Sequence, residues 1–306
     1  MAAKGGRSAK RWKFCVLLWS VSYASIGHAE RDLDQEQPNS WYVSHVGLLV
    51  AGALTSAGVQ YWGAPTRDPH FRGALAMEQG AESNFSLAAS RATDVTLGAS
   101  MIAPVVAFGS NDKVIRFDNS LLIYGESLST SLVVDTIAKH LVLRARPYSF
   151  NRSTAAQAFA DRSGKDASLS FYSGHAAMSF TGATAGSFLF SDSAADEGSQ
   201  AALWALELAL ASFTTHGRVR AGMHYTTDVV VGALMGTGFG IGIPLLHGVF
   251  PEISTPEWIA MGGGLVLGTS LAFLLPTRTA EELSKLDMRL TPVAGGATFS
   301  VGSTLR

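Results

Sequence analysis

Three short clusters between residues 139 and 228 combine cationic, imidazole and carboxylate side chains. The first begins at Lys139 and ends at Arg146-Pro147. Because proline disfavours helical geometry in the residue before it, the pattern predicts Arg146 at the end of a helix. Lys139 and Arg146 are seven residues apart, about two helical turns, so we expect them to share one helix face. The alternative is a basic helix C-terminus that only interacts with the helix dipole.

The second cluster reads Tyr172-Ser173-Gly174-His175 and precedes an apolar run. Ser173 is a good N-cap residue, and Gly174 allows a ligand to approach the backbone closely. An anion placed here would meet free N–H groups and the positive end of the helix dipole. The cluster therefore predicts an anion site, and the alternative is an ordinary capped helix start in which His175 has no role.

The third cluster runs from Gly217-Arg218 through His224 to Asp228. His224 and Asp228 are four residues apart, so in a helix they would face the same way and Asp228 would hold the imidazole. A histidine oriented by a carboxylate is a better nucleophile and can carry the positive charge that follows its attack. The alternative is a His–Asp pair that serves only as a surface or core contact.

The elements that must position these clusters are long apolar segments separated by turn and charge signals. Each is too long for a typical strand, which favours helices. The segments are Val43–Trp62, Thr93–Phe108, Ser120–Leu143, Ser173–Phe190, Gln200–Thr214, Asp228–Val249 and Trp258–Leu275. We expect an all-α fold, an antiparallel bundle of about six or seven helices. In an up-and-down bundle the three clusters lie at one end, where three cations, two histidines and an aspartate converge.

The two ends of the chain differ from this helical middle. Residues 1–29 carry five basic side chains, no acid and an apolar run from Phe14 to Ile26, which is the layout of a secretory signal. An uncleaved anchor helix is the alternative. We expect a helical domain over residues 30–285, and over residues 286–306 either a short β-hairpin or a disordered tail. The only cysteine, Cys15, lies in the signal, so no disulfide is expected after cleavage.

Composition excludes several classes of protein. Hydrophobic residues make up 47% of the chain and charged residues only 15%, which argues against charge-rich disorder, a coiled coil and nucleic-acid binding. Membrane insertion is left open. Asp228–Val249 and Trp258–Leu275 are acceptable spans, but Ser120–Leu143 contains Glu126, Asp135 and Lys139, and charges inside a membrane are costly without a partner.

Taken together, the clusters resemble the signature of the phosphatidic acid phosphatase type 2 superfamily, which includes bacterial acid phosphatases, lipid phosphate phosphatases and vanadium haloperoxidases. That signature is Lys, six residues and Arg-Pro; then Pro-Ser-Gly-His; then Ser-Arg, five residues, His, three residues and Asp. Order and spacing match across residues 139–228. Tyr172 stands where the family has Pro and Gly217 where it has Ser, and neither change removes a charged or titrating group.

The resemblance implies a role for each matching residue. The groups expected around the phosphoryl oxygens are three cations and two backbone amides, those of Lys139, Arg146, Arg218, Ser173 and Gly174. By the same resemblance, His224 attacks phosphorus, Asp228 orients His224, and His175 protonates the leaving alcohol and then activates water. Four further residues nearby are interpreted as supporting or surface residues: Arg144, Arg220, His140 and His216.

The function implied is that of a metal-independent phosphatase acting on phosphate monoesters or diphosphates. The apolar helices favour lipid-linked substrates and membrane contact. No cluster has a convincing metal-ligand pattern, so neither a metal nor another cofactor is expected. We expect export to the cell envelope, with the site facing out of the cell or in the periplasm. The alternatives are a vanadate-dependent haloperoxidase and a non-catalytic envelope protein that keeps the anion pocket.

Overall fold

The computed structural model describes residues 37–62, 75, 78–110, 117–278, 286–293 and 296–303, the last two ranges as backbone only. The predicted signal segment at residues 1–29 lies outside the described residues. The remaining ranges cover the three clusters and all seven apolar segments.

Helices dominate the described ranges, which contain nine of them. The helices are α1 (Asn39–Trp62), α2 (Gln79–Glu82), α3 (Leu87–Ser110), α4 (Phe117–Val142), α5 (Thr154–Ser163), α6 (Gly174–Ser191), α7 (Glu197–Arg220), α8 (Thr226–Leu246) and α9 (Thr255–Ala272). Each predicted apolar segment coincides with one of the long helices, α1, α3, α4 and α6 to α9. The all-helical character of the prediction is confirmed for these ranges.

Contacts between the long helices show how they run relative to one another. The α1 side chain of Tyr42 bonds Asn119 near the start of α4. Thr96 of α3 bonds Thr214 near the end of α7. Lys139, near the end of α4, approaches Gly174, the first residue of α6. Such contacts place the ends of α4 and α7 beside the starts of α3 and α6, as in alternating up and down helices.

Helices α6 and α8 pack closely through a row of glycines, Gly232, Gly236 and Gly240. A Cβ atom on Gly232 would lie 2.6 Å from the Ser173 carbonyl oxygen, and one on Gly236 would lie 2.2 Å from that of Ala177. Small residues four apart let two helix backbones approach in this way. This glycine row brings the first turns of α6 and α8 together, where His175 and Asp228 lie.

Helix α4 ends earlier than the sequence indicates. Its last residue is Val142, Leu143 has a positive φ of 52°, and Arg146 is extended (φ −76°, ψ 149°). The Arg146 N–H donates to the Ala167 carbonyl (2.8 Å), a long-range bond that replaces a further helical turn. The prediction that Lys139 and Arg146 share one helix face is therefore wrong, although both reach the same end of the fold.

Two strands follow the helices, Leu286–Val293 and Gly296–Ser303, paired antiparallel with Leu286 opposite Ser303. They lie in the segment where the sequence predicts either a hairpin or a disordered tail.

Four helices within the described ranges are long and apolar enough to cross a membrane. They are Asn39–Tyr61, Leu87–Ser110, Phe117–Val142 and Thr226–Leu246. The helix Thr226–Leu246 agrees with the span predicted at Asp228–Val249. Helix α9 is not among the four although the sequence suggested a span there, whereas α4 qualifies in spite of its charged residues.

Candidate active site

The candidate site lies at the end of the fold where α4 and α7 finish and α3, α6 and α8 begin. His224 is buried in the loop before α8. Its Nδ1 is 2.9 Å from the Ser170 carbonyl oxygen, which can only accept, so Nδ1 carries the proton. The lone pair is then on Nε2, which accepts from Arg146 Nη1 at 2.9 Å. This tautomer is the one that a nucleophilic Nε2 requires.

The charge state of His224 follows from its surroundings. Burial lowers the pKa of His224 well below its ordinary value, and the positive charges of Arg146 and Arg218 lower it further. Both effects disfavour the imidazolium form. The imidazole is therefore neutral at physiological and mildly acidic pH, with its lone pair beside cations that can hold an anionic group.

Asp228 supports His224 differently from the prediction. Helix α8 begins only at Thr226, so His224 is outside it, and the distance from His224 Nδ1 to Asp228 Oδ2 is 3.7 Å. The hydroxyl of Ser170 donates to Asp228 Oδ2 at 2.6 Å. The carboxylate thus holds Ser170, and the carbonyl of Ser170 holds the imidazole. A direct Asp228–His224 hydrogen bond, expected from the four-residue spacing, is not made.

Arg144, which the sequence analysis placed among four supporting or surface residues, is a central residue of the site. Its Nη1 donates to Asp228 Oδ1 at 2.6 Å, its Nη2 donates to Glu78 Oε1 at 2.8 Å, and its guanidinium lies 4.2 Å from the centre of the Tyr225 ring. Burial acts to raise the pKa of Glu78, but hydrogen bonds from Thr227 and Arg144 outweigh it and lower that pKa to about 2. Arg144 therefore joins two buried carboxylates beneath the site.

His175 and Arg218 meet at a carboxylate that was also not predicted. Asp94 Oδ1 is 2.8 Å from His175 Nε2 and 3.3 Å from Arg218 Nη1. Arg218 Nη1 also donates to the hydroxyls of Ser90 (3.0 Å) and Thr93 (3.2 Å). Asp94 is 55% exposed, whereas Arg218 is buried. Helix α3 therefore holds the second and third clusters together, although no motif lies on it.

Lys139 and Gly174 connect the first and second clusters. Lys139 Nζ donates to Asp135 Oδ2 at 2.7 Å. A Cβ atom on Gly174 would lie 2.8 Å from Lys139 Nζ and 2.7 Å from that carboxylate oxygen, so only glycine admits this approach. The Ser173 N–H, expected to bind phosphate, donates instead to the Asp228 carbonyl at 3.0 Å. Of the two predicted amides, that of Gly174 remains the candidate for anion binding.

Arg146 is anchored by contacts that hold it against His224. Its Nε donates to the Asp166 carbonyl at 3.0 Å and its Nη2 to the Asp166 carboxylate at 2.9 Å. Asp94, Asp135 and Asp166 thus each pair with one of the predicted cations. With its Nη1 on His224 Nε2, Arg146 places a cationic hydrogen-bond donor against the lone pair of this imidazole.

A groove of about 420 Å³ opens beside these residues. Its polar end includes Lys139, Gly174 and His175. Apolar side chains continue from there along α3, α4 and α6, those of Leu97, Leu132 and Met178. Of the predicted cations, Lys139 lines the groove, whereas Arg146 and Arg218 do not. A ligand in the groove would have its anionic group at Lys139 and His175 and an apolar part along the helices.

The geometry defines a class of protein, a helical protein with a buried neutral imidazole beside cations that can hold a phosphoryl group. Residues 120–250 match the family model described as PAP2 superfamily. This segment contains all three clusters, so the match confirms the assignment made from the motifs. Members of this superfamily are phosphatases. A comparison with curated proteins found no match, and a comparison with solved structures found none either.

Proposed function

We propose that the protein is a phosphatase that hydrolyses lipid-linked phosphate monoesters or diphosphates through a phosphohistidine intermediate, with no metal in the chemical steps. One observation carries the proposal: the lone pair of neutral His224 is on Nε2, 2.9 Å from Arg146 Nη1. A nucleophile next to a fixed hydrogen-bond donor is the arrangement that phosphoryl transfer needs, because catalysis there is mostly positioning and charge stabilisation.

In the first step His224 Nε2 attacks phosphorus, and the bond from phosphorus to the leaving oxygen breaks. The cations Lys139, Arg146 and Arg218 hold the phosphoryl oxygens while charge builds up. His175 donates its proton to the leaving oxygen, so the product leaves as an alcohol or, from a diphosphate, as a monophosphate. The positive charge on the phosphorylated imidazole is balanced through Nδ1–H, the Ser170 carbonyl and the buried carboxylate of Asp228.

In the second step water replaces the imidazole on phosphorus. Neutral His175 takes a proton from the water as it attacks, and the phosphorus–Nε2 bond breaks. Inorganic phosphate leaves, and His224 returns to its neutral form. His175 thus acts first as an acid and then as a base. Its bond to Asp94 keeps it in place for both steps.

The groove supports a lipid-linked substrate. Its apolar side chains lie on α3, α4 and α6, and the first two of these helices are candidate membrane spans. A phosphate at Lys139 and His175 would leave the acyl or isoprenyl part of a lipid against Leu97, Leu132 and Met178. As part of the same proposal, residues 1–29 direct export and residues 30–285 form the phosphatase domain at the cell envelope, with its site facing outward.

We expect phosphate release from phosphatidic acid and from an isoprenyl diphosphate in mixed micelles, and weaker release from p-nitrophenyl phosphate. Leu132→Ser should reduce kcat/KM for the lipids about tenfold, since a buried leucine contributes 1.5–3 kcal/mol of apolar contact. Its effect on p-nitrophenyl phosphate should be less than twofold. The measurement is phosphate release by the purified protein in detergent.

The matched control is Leu206→Ser, because Leu206 is half exposed on α7 and does not line the groove. An equal loss of kcat/KM for lipid and soluble esters in Leu132→Ser would contradict the lipid assignment.

Orthovanadate distinguishes a phosphatase from a vanadate-dependent haloperoxidase, since it should inhibit the phosphatase and activate the haloperoxidase.

The pH dependence follows from two lowered pKa values. Burial and the charge of Arg218 lower the pKa of His175 to about 4, although the hydrogen bond that His175 donates to the Asp94 carboxylate acts to raise it. Catalysis needs His175 protonated and His224 neutral, and the pKa of His224 is also low. We therefore expect kcat/KM for p-nitrophenyl phosphate to fall as the pH rises above the pKa of His175. A bound phosphate adds negative charge, so the falling limb of kcat should lie at higher pH.

Asp94→Asn removes the interaction that raises the pKa of His175, so it should move the falling limb of kcat/KM to lower pH. Asp161→Asn, an exposed change on α5, is the control and should leave the profile where it is. In Asp94→Asn, Arg218 keeps its hydrogen bonds to Ser90 and Thr93, so its side chain should stay in place. A change in KM can therefore be measured separately from the shift of the pH profile. A profile that Asp94→Asn does not move would exclude His175 as the acid.

A further inference from the structure

A second polar cluster lies at the opposite end of the helices from the candidate active site. It consists of His45 on α1, Glu126 on α4 and His247, which follows the last residue of α8. Their relative exposures are 1%, 0% and 5%. Each offers one ligand atom, and these three atoms lie within 4.8 Å of one another. Two imidazoles and a carboxylate are a common ligand set for zinc.

The length of α8 separates this cluster from the phosphate chemistry. Asp228 lies in the first turn of α8 and His247 just beyond its end, with 21 residues in the helix. At 1.5 Å per residue the helix is about 30 Å long. A ligand held by His247 therefore cannot reach a phosphoryl group at His224, and it would act on the fold rather than on the reaction.

The tautomer of His45 points its lone pair into the cluster. His45 Nδ1 is 2.8 Å from the Trp41 carbonyl oxygen, an acceptor, so Nδ1 carries the proton. His45 Nε2, which bears the lone pair, faces Glu126 Oε2 at 3.6 Å. Zinc-binding histidines are oriented in this way by a hydrogen bond from the other ring nitrogen to a carbonyl or carboxylate. A lone pair that faces a carboxylate oxygen favours a cation between them.

The distances also fit a small cation. Glu126 Oε2 is 3.0 Å from His247 Nε2 and 3.6 Å from His45 Nε2. Ligand atoms about 2.0–2.2 Å from a tetrahedral zinc ion are about 3.3 Å apart. The two distances lie on either side of this value, and the third pair of ligand atoms, on His45 and His247, lies within 4.8 Å. Small shifts of the three side chains would therefore bring the ligand atoms to three corners of a tetrahedron.

We propose that His45, Glu126 and His247 bind one Zn²⁺ ion, with water or a further group as the fourth ligand. The ion links α1, α4 and the turn after α8, three elements far apart in the sequence. Because it binds only the folded chain, it stabilises the fold in proportion to its affinity and concentration. Calcium and magnesium fit less well, since both prefer oxygen ligands.

The test measures metal content and thermal stability of the full chain in detergent, purified through a tag that contains no histidine. We expect about one zinc per chain by mass spectrometry of the metal. Chelation should lower the unfolding midpoint and added Zn²⁺ should restore it. Replacement by Co²⁺ should give visible ligand-field absorption. Zinc content near zero, with no midpoint shift on adding Zn²⁺, would overturn the proposal and leave a hydrogen-bonded His–Glu cluster.

Variants assign the ligands. Glu126→Gln and His247→Ala should each reduce bound zinc to less than a tenth per chain and abolish the midpoint shift on adding Zn²⁺. His216→Ala is the matched control, because His216 is exposed on α7 at the other end of the fold. If a variant does not fold, the Co²⁺ spectrum of the unmodified chain still decides. The result is independent of phosphatase activity, so either proposal can fail alone.

Discussion

Replacing His224 by alanine is expected to stop phosphate release, with a fall in kcat/KM of at least about 10⁴-fold, the scale seen when a covalent nucleophile is removed. Arg146 cannot take its place, since Arg146 Nη1, which faces His224 Nε2, is a cationic donor without a lone pair to share. The measurement is phosphate release from p-nitrophenyl phosphate and from phosphatidic acid by purified protein.

Two further results make this prediction decisive. His216→Ala should retain normal turnover, because His216 lies outside the site and bonds the Ser212 carbonyl. His224→Ala should keep the helical circular dichroism of the parent, since the loop retains the bond from Met223 N–H to the Arg218 carbonyl. Ordinary turnover by folded His224→Ala would overturn both the phosphohistidine step and the role of His224.

Arg144→Met should be the most destabilising single change at this end of the fold. The substitution leaves the buried carboxylates of Glu78 and Asp228 without the guanidinium that forms an ion pair with each of them. Removing one partner of a buried ion pair costs about 3–5 kcal/mol, because the remaining charge stays in a site of low polarity. We expect a clear fall in the thermal unfolding midpoint in detergent, and lower turnover because Asp228 also holds Ser170.

Arg162→Met provides the matched control for Arg144→Met. Arg162 is exposed on α5, so the same chemical change there should alter stability by less than about 0.5 kcal/mol. Adding Glu78→Gln to Arg144→Met removes one of the two carboxylate charges that have lost their guanidinium partner, and it should recover part of the lost stability. Equal midpoints for Arg144→Met and Arg162→Met would show that the buried pairs contribute little.

The motif spacings predicted which residues converge but not how they are held. Lys139, Gly174 and the Arg146–His224 pair meet at one end of the fold, as the sequence analysis expected from long apolar segments joined mostly by short connections. Two predictions were wrong, the direct hydrogen bond between His224 and Asp228 and the shared helix face of Lys139 and Arg146. Each prediction assumed that a helix continues through residues that tertiary hydrogen bonds hold outside it.

The supporting residues could not be predicted because their partners come from distant segments without a motif. Asp94 is one acid in an apolar stretch, and its role arises from the packing of α3 beside α6 and α7. Arg144 and Arg146 are both basic residues just after α4. The direction that the chain takes after Leu143 decides which partners each side chain reaches, and no local sequence signal indicates the left-handed conformation of Leu143. The zinc ligands are separated by 81 and 121 residues, so no spacing pattern reveals them.

Gly232, Gly236 and Gly240 are expected to affect turnover although none of them is a candidate for touching substrate. Their close contacts fix how α6 and α8 pack, and this packing determines how far His175 on α6 lies from His224, which precedes α8. A methyl group added two or three turns away would push the helices apart and misalign the two histidines. The alignment of the reacting groups therefore depends on backbone spacing deep between the helices.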